Sequence, residues 1–320
     1  MSKVTIIGAT GRLGSFASHA ISGIPHVDEV MLAGRPGREK SLMALSHDLT
    51  DSCAARGTGT KITWSTSPAD YAGSDVIVVT SGVPRKEGQD RTDLALENAR
   101  IIAPIAEQIG KYAPDSIVLM ITNPVDVMTA VALRYSGMEP RQVFGLGTHL
   151  DSMRLKVLIA RYFQVHVSEV HTRIIGEHGE SMVPLWSATT IGGIRISNLP
   201  AFSDLPMDEM VDQVKNSGSF IIKNSGATVY GPGDAIATLV QTIIGNENRI
   251  LTVSSYVRSE VHDIGDTCIG VPARINREGV VPVSIRIEDA ELAAFGASVE
   301  KIRALTRSIF EKMDELRSSG

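Results

Sequence analysis

The chain has 320 residues, is 43% hydrophobic and carries a formal net charge of -5 with a pI near 5.9, which allows an ample core in one large or two medium domains. Mild acidity without clustered Lys and Arg argues against a nucleic-acid face, so a small anionic ligand would need individually placed arginines. No apolar run reaches the length of a membrane span and no leader precedes the first strand, so a cytoplasmic protein without a membrane partner is expected; Cys53 and Cys268 form no CxxC and no HExxH occurs, so neither a disulfide framework nor a metal is expected.

From the N-terminus, short β-branched runs alternate with stretches of helical length. KVTIIG, EVMLA, KITWS, DVIVVTSG, SIVLMITN and QVFGLG read as strands, and Arg12 to Ile21, Ser41 to Cys53, Thr92 to Tyr112 and Val125 to Tyr135 as helices. This is the pattern of a doubly wound parallel sheet with helices on both faces. After Gly147 the character changes to a helix from Asp151 to Phe163, a strand pair around Val170 to Ile175 and Gly192 to Ile196, and further helices. Leu292, Phe295, Val299, Ile302, Leu305 and Ile309 make one apolar face of a terminal helix over Asp289 to Ser318. The reading is an α/β fold: a Rossmann-type dinucleotide-binding domain over 1–145, then an α+β catalytic domain over 146–320.

GATGRLG (Gly8, Ala9, Thr10, Gly11, Arg12, Leu13, Gly14) follows the first strand and opens the first helix, the place where glycines let a pyrophosphate approach a helix N-terminus. About 20 positions further on, where an acidic residue normally bonds the adenosine ribose, stand Gly34 and Arg35. Loss of a carboxylate that repels a 2′-phosphate, and gain of a guanidinium that binds it, point to NADP, with NAD the alternative cofactor. Arg38 is placed to assist; a solvated loop arginine is the other reading of Arg35.

GVPRKEGQDRTDL combines glycines and a proline with Arg85 and Arg91 ahead of a helix, as in a loop that closes over a ligand. ITNPVD ends the fifth strand, placing Ile121, Thr122 and Asn123 at the cofactor; the Asn123 amide can bond a substrate oxygen or the nicotinamide ribose. GLGTHLDSMRLK puts Asp151 and Arg154 on one face at the start of a helix, where an N-cap or first-turn acid is itself a sufficient reason for Asp151. IIGEHGES holds His178 at a strand end between glycines, suited to proton transfer because its ordinary pKa near 6.5 lies close to working pH; alone it reads equally as a surface histidine in a turn.

These motifs, in this order and spacing, resemble the lactate and malate dehydrogenase family over nearly the whole chain, specifically its lactate-dehydrogenase-like malate dehydrogenases of archaeal type. The resemblance implies that His178 gives and takes the proton and that Asp151 orients the ring and stabilises its charged form. It implies that Arg154 clamps the substrate C1 carboxylate, that Arg91 polarises the reacting oxygen, and that Arg85 pairs with a second carboxylate where lactate enzymes typically have glutamine. Asn98 matches a cofactor-contacting position, and Thr228, in GATVYGP, falls on the helix that closes the substrate pocket. Gly34 departs from the NAD-using pattern. The expectation is a malate dehydrogenase acting on a small dicarboxylate, with NADP preferred over NAD, assembled as a homodimer or homotetramer.

The alternatives are a dehydrogenase for lactate or another 2-hydroxy acid, which Arg85 disfavours, and a non-catalytic NADP-sensing regulator. The regulator leaves His178, Asp151, Arg154 and Arg91 unexplained. Short-chain dehydrogenase chemistry fails because no tyrosine is followed four residues later by a lysine.

Overall fold

A computed structural model describes residues 2–84, 90–258, 261 and 264–318. Its first part alternates strand and helix: β1 Lys3–Ile7, α1 Arg12–Ile21, β2 Glu29–Ala33, α2 Glu39–Arg56, β3 Lys61–Ser65, β4 Val76–Val79, α3 Arg91–Tyr112, β5 Ile117–Met120, α4 Val125–Ser136 and β6 Val143–Gly145. The six strands pair in parallel in the order β3-β2-β1-β4-β5-β6, so the chain winds outward from β1 to one edge and then, from β4, to the other. That reversal beside β1 opens a crevice at the strands' carboxyl ends, the usual ligand position in such sheets.

Strand alternation explains the two-sided core. Val4 and Ile6 of β1, Val76 and Val78 of β4, and Ile117 and Leu119 of β5 face one layer. Ile7, Ile77, Val79, Val118 and Met120 face the other, against Ala95, Ala99 and Ile102 of α3 and Val127, Met128 and Val131 of α4. A period of two with apolar residues on both faces is what a parallel strand covered by helices requires.

The second part comprises α5 His149–Tyr162, β7 Val170–His171, β8 Ile174–Gly176, β9 Met182–Pro184, β10 Thr190–Ile191, β11 Ile194–Arg195, α6 Met207–Ser225, α7 Tyr230–Ile244, β12 Arg249–Val257, β13 Thr267–Asn276, β14 Gly279–Pro282 and α8 Asp289–Ser318. Two expectations for this part need correction. The run Val170 to Ile175 is split: β7 joins β10 and β11 in a small separate sheet, while β8 joins the main one. The region expected to continue as helices contains β12, β13 and β14, which extend the main sheet antiparallel from β6.

Polar residues disguise β12 in sequence. Thr252, Ser254 and Ser255 are buried, and Thr252 Oγ1 lies 2.9 Å from Ser152 Oγ of α5. The terminal helix follows its expected stripe: Phe295, Val299, Ile302 and Ile309 are buried, while Leu292 at its first turn is exposed. No helix among the described residues is long and apolar enough to cross a membrane.

Candidate active site

The glycine loop occupies the turn between β1 and α1. Gly8 has φ +89°, and a Cβ there would stand 2.8 Å from Ser81 Oγ and 2.9 Å from Ser81 N, so the position requires glycine twice over. A Cβ on Gly14 would lie 2.4 Å from the Gly8 carbonyl, so glycine there lets α1 lie against the loop. Gly11 is the N-cap of α1 and offers no side-chain cap, which leaves first-turn N–H groups for an anion. Thr10 and Gly11 are exposed, Gly8 and Leu13 half-buried, and Ala9 buried. This open turn fits the pyrophosphate of a nicotinamide dinucleotide.

Beyond β2, Gly34 donates its N–H to the Ser65 carbonyl, and Arg35 and Arg38 are exposed without an ion pair among the described residues. Arg12 turns away from the loop, its Nη1 reaching the Ser225 carbonyl at the end of α6 at 3.4 Å. Ile121 and Thr122 are buried at the end of β5, where Thr122 Oγ1 donates to the Ser81 carbonyl, and Asn123 beyond them is exposed.

Asn98 is fully buried; its Oδ1 accepts from Val83 N–H at 2.8 Å, and its Nδ2 donates to the carbonyls of Val83 (3.1 Å) and Asn123 (2.7 Å). With its amide bonded to the chain, Asn98 fastens Val83 to the Asn123 turn.

The Asp151–His178 pair is assembled by two fasteners between α5 and β8. Thr148 Oγ1 donates to the Ile174 carbonyl at 2.5 Å, and Ile174 N–H donates to Ser152 Oγ at 2.9 Å. Thr148, not Asp151, is the N-cap residue of α5, so Asp151 does not serve as the cap. Its carboxylate is 1% exposed and lies with Oδ2 2.5 Å from His178 Nδ1, while Oδ1 accepts from Arg154 Nη1 at 3.3 Å. His178 Nε2 has no protein partner among the described residues, and a quarter of the side chain is exposed.

Burial pulls the His178 pKa down, but the charge and hydrogen bond of Asp151, with the charge of Asp126, outweigh burial and Arg154, and the pKa is raised above its ordinary value. A histidine so placed has its charged form favoured by the carboxylates around it.

Two acids without a role in the sequence reading belong to this site. Asp126, in the first turn of α4, is fully buried; its Oδ2 accepts the His178 backbone N–H at 3.0 Å and its Oδ1 is unpartnered among the described residues. Burial pushes its carboxyl up to about 6. Glu177 is fully buried and forms an ion pair with Arg91, whose Nη2 stands 3.5 Å from the His178 carbonyl. The only sequence signals were the motifs containing these acids, and nothing local distinguishes a buried acid from a helix-start or loop acid.

Arg91 is the first residue of α3, whose N-cap Asp90 accepts from Thr92 N–H at 2.6 Å. Arg85 lies outside the described residues. A cleft of about 1080 Å³ runs past Arg12, Arg154, Thr228 and Tyr230, and His178 does not line it. Thr228 sits in the connection between α6 and α7, not on a helix as expected, but it shares this cleft with Arg154.

A parallel nucleotide-binding sheet with a carboxylate-held histidine and converging arginines defines the class as a nicotinamide-dependent oxidoreductase. Family comparison agrees: residues 2–145 match the lactate/malate dehydrogenase NAD binding domain, and residues 148–313 match the lactate/malate dehydrogenase alpha/beta C-terminal domain. The chain belongs to the lactate/malate dehydrogenase family.

It is 45% identical over 322 residues to a malate dehydrogenase of Methanothermobacter thermautotrophicus, covering 98% of each chain. It is 47% identical over 305 residues to an L-2-hydroxycarboxylate dehydrogenase (NAD(P)(+)) of Methanocaldococcus jannaschii, covering 94% of this chain and 97% of the relative. The apo malate dehydrogenase of Picrophilus torridus superposes with a TM-score of 0.90 at 29% identity, covering 98% of this chain and 99% of that one.

Proposed function

We propose that this chain is a malate dehydrogenase that interconverts (S)-malate and oxaloacetate with a nicotinamide cofactor, NADP in preference to NAD. In this reading, residues 1–145 hold the cofactor and 146–320 the substrate, in a homodimer or homotetramer. The observation that carries it is the 2.5 Å pair of His178 with buried Asp151, whose second oxygen is bonded to Arg154. The malate dehydrogenase relative at 45% identity supports the same reading.

When bound, the cofactor supplies the hydride acceptor or donor for the substrate C2 carbon. His178 Nε2 takes the hydroxyl proton of malate in one direction and protonates the developing alkoxide of oxaloacetate in the other. Asp151 accepts from Nδ1–H, which fixes the tautomer and lowers the free energy of the charged ring. Arg154 binds the C1 carboxylate, and Arg91 offers its guanidinium to the reacting oxygen, where water exclusion strengthens the contact. Arg85 neutralises the second carboxylate. Gly34, with no carboxylate, and exposed Arg35 favour a 2′-phosphate.

A second reading is a broader L-2-hydroxycarboxylate dehydrogenase using either cofactor, favoured by the relative from Methanocaldococcus jannaschii. Steady-state assays with oxaloacetate or pyruvate, each with NADH or NADPH, separate the two. The first reading expects oxaloacetate with NADPH to give the highest kcat/KM; comparable rates on pyruvate would favour the second. In either case His178→Asn should lower kcat roughly 10² to 10⁴-fold while reduced-cofactor binding stays measurable. Surviving turnover would remove the histidine from the mechanism.

A further inference from the structure

We propose that Glu177 is the docking carboxylate that positions the Arg91 guanidinium beside His178, and that Gly179 is glycine to leave room for that contact. The inference rests on the reading in which Arg91 meets the reacting oxygen. It adds a positioning residue and an account of how a side chain in the first turn of α3 is already in place before substrate arrives.

Glu177 is fully buried immediately before His178, so its carboxylate cannot be solvated and must be matched by cations and donors. Burial alone would raise its pKa; Arg91, Ser181 and Lys301 more than reverse this and hold it below the usual carboxylate value. The two oxygens divide the task. Oε2 accepts from Ser181 N–H at 3.1 Å, from the Ser181 hydroxyl, and from Lys301 Nζ at 2.9 Å, which fixes the carboxylate against α8. The Glu177 backbone N–H donates to Ser298 Oγ of the same helix at 2.8 Å.

Oε1 is left for Arg91, whose Nη1 it meets in an ion pair. That ion pair, with the 3.5 Å contact of Nη2 with the His178 carbonyl, keeps the cation beside His178. Arg91 remains partly exposed, and without the carboxylate it would keep only the long 3.5 Å contact of Nη2 with the His178 carbonyl among its described polar contacts.

Gly179 supplies an independent observation. A Cβ there would stand 2.8 Å from Arg91 Nη2, 3.0 Å from Nη1 and 3.0 Å from Glu177 Oε1, and its φ is not in the left-handed region. The residue is therefore not glycine for conformational reasons. An alanine would displace the end of a flexible side chain, leaving the backbone unstrained.

The test is a set of double-mutant cycles read on oxaloacetate reduction, reduced-cofactor affinity by fluorescence and melting temperature. Glu177→Gln keeps an acceptor for Ser181 but removes the charge; Gly179→Ala keeps the charge but pushes the guanidinium off it. Each should lower kcat roughly ten- to hundredfold with cofactor affinity unchanged, as misplacement by about 1 Å does. In an Arg91→Ala background both should be nearly silent, because no guanidinium remains to be positioned.

Full activity in Gly179→Ala and Glu177→Gln, or losses that multiply with that of Arg91→Ala, would overturn the inference while leaving the role of Arg91 intact. An Arg91→Ala enzyme with undiminished turnover would instead refute that role itself. If Glu177→Gln fails to fold, the Gly179→Ala and Arg91→Ala cycle decides the question alone.

Discussion

Replacing Asp151 by Asn isolates the carboxylate that raises the His178 pKa. The wild-type carboxylate is 1% exposed and lies 2.5 Å from Nδ1, so the contact is a buried, charge-assisted hydrogen bond. Such a bond contributes about 1.5–3 kcal/mol net, which at 1.36 kcal/mol per decade is one to two orders of magnitude in stabilisation of the imidazolium. Without it, burial is the largest remaining influence and lowers the His178 pKa, with Arg154 acting in the same direction and Asp126 against it.

The sign follows from which form each direction uses. In the proposed mechanism oxaloacetate reduction needs protonated His178 and fails as pH rises through its pKa; malate oxidation needs the neutral ring and fails as pH falls through it. In Asp151→Asn both limbs should therefore move to lower pH in kcat/KM profiles measured between about pH 5 and 9, the titration region of histidine. With cofactor affinities unchanged, the fixed overall equilibrium makes the two directions lose equally at any single pH, so the displaced limb is the diagnostic. A loss of activity with both limbs unmoved would show that Asp151 only holds the ring in place.

Three further outcomes are expected. Arg85→Gln should cost roughly a hundredfold in kcat/KM on oxaloacetate, the effect of unpairing a substrate carboxylate, and far less on pyruvate; parallel losses would refute its specificity role. Gly34→Asp should reverse a preference for NADPH over NADH by about tenfold or more, with the Leu42 side chain, 3.2 Å from the new Cβ at its nearest atom, giving way by a few tenths of an ångström; equal use of both cofactors by the wild type would remove its basis. Asp126 has its carboxyl raised from 3.8 to about 6, so wild type loses stability through this group as pH rises from about 4 to 6, by about 3 kcal/mol. Asp126→Asn should remove that slope in urea unfolding; identical pH dependence in the two proteins would contradict it.

The parallel half was legible because each strand is a short run of β-branched and aliphatic residues bounded by glycine, serine or a helix start, and local pattern is sufficient there. The antiparallel half was less so. In β12 the buried faces carry Thr252, Ser254 and Ser255, which a period-based reading takes for exposed positions. Their burial depends on partners distant in sequence, such as Ser152 beside Thr252 and Gly145 in register with Ser254. The site divides in the same way. His178, Asp151 and Arg154 stood out because residue type and spacing carry their chemistry, whereas Asp126 and Glu177 gain significance only from burial. That burial is created where α4 and α8 meet the loop after β8, a convergence that no sequence window contains.

Asp151 and Glu177 also explain how an acidic chain can receive a dianion. Arg154 stands against Asp151 and Arg91 against Glu177, so two of the proposed substrate-binding cations already rest on buried carboxylates. A bare cluster of arginines would repel itself and scatter into solvent. Arginines held by anions behind them are near neutral as pairs and pre-oriented in front, and less side-chain entropy is lost when the substrate binds. The cost is a weaker attraction for the substrate at long range. Such a site should select by geometry at contact more than by electrostatic steering, and its kcat/KM should depend only weakly on ionic strength. A steep fall of kcat/KM with added salt would show instead that the arginines act as an unmatched positive field.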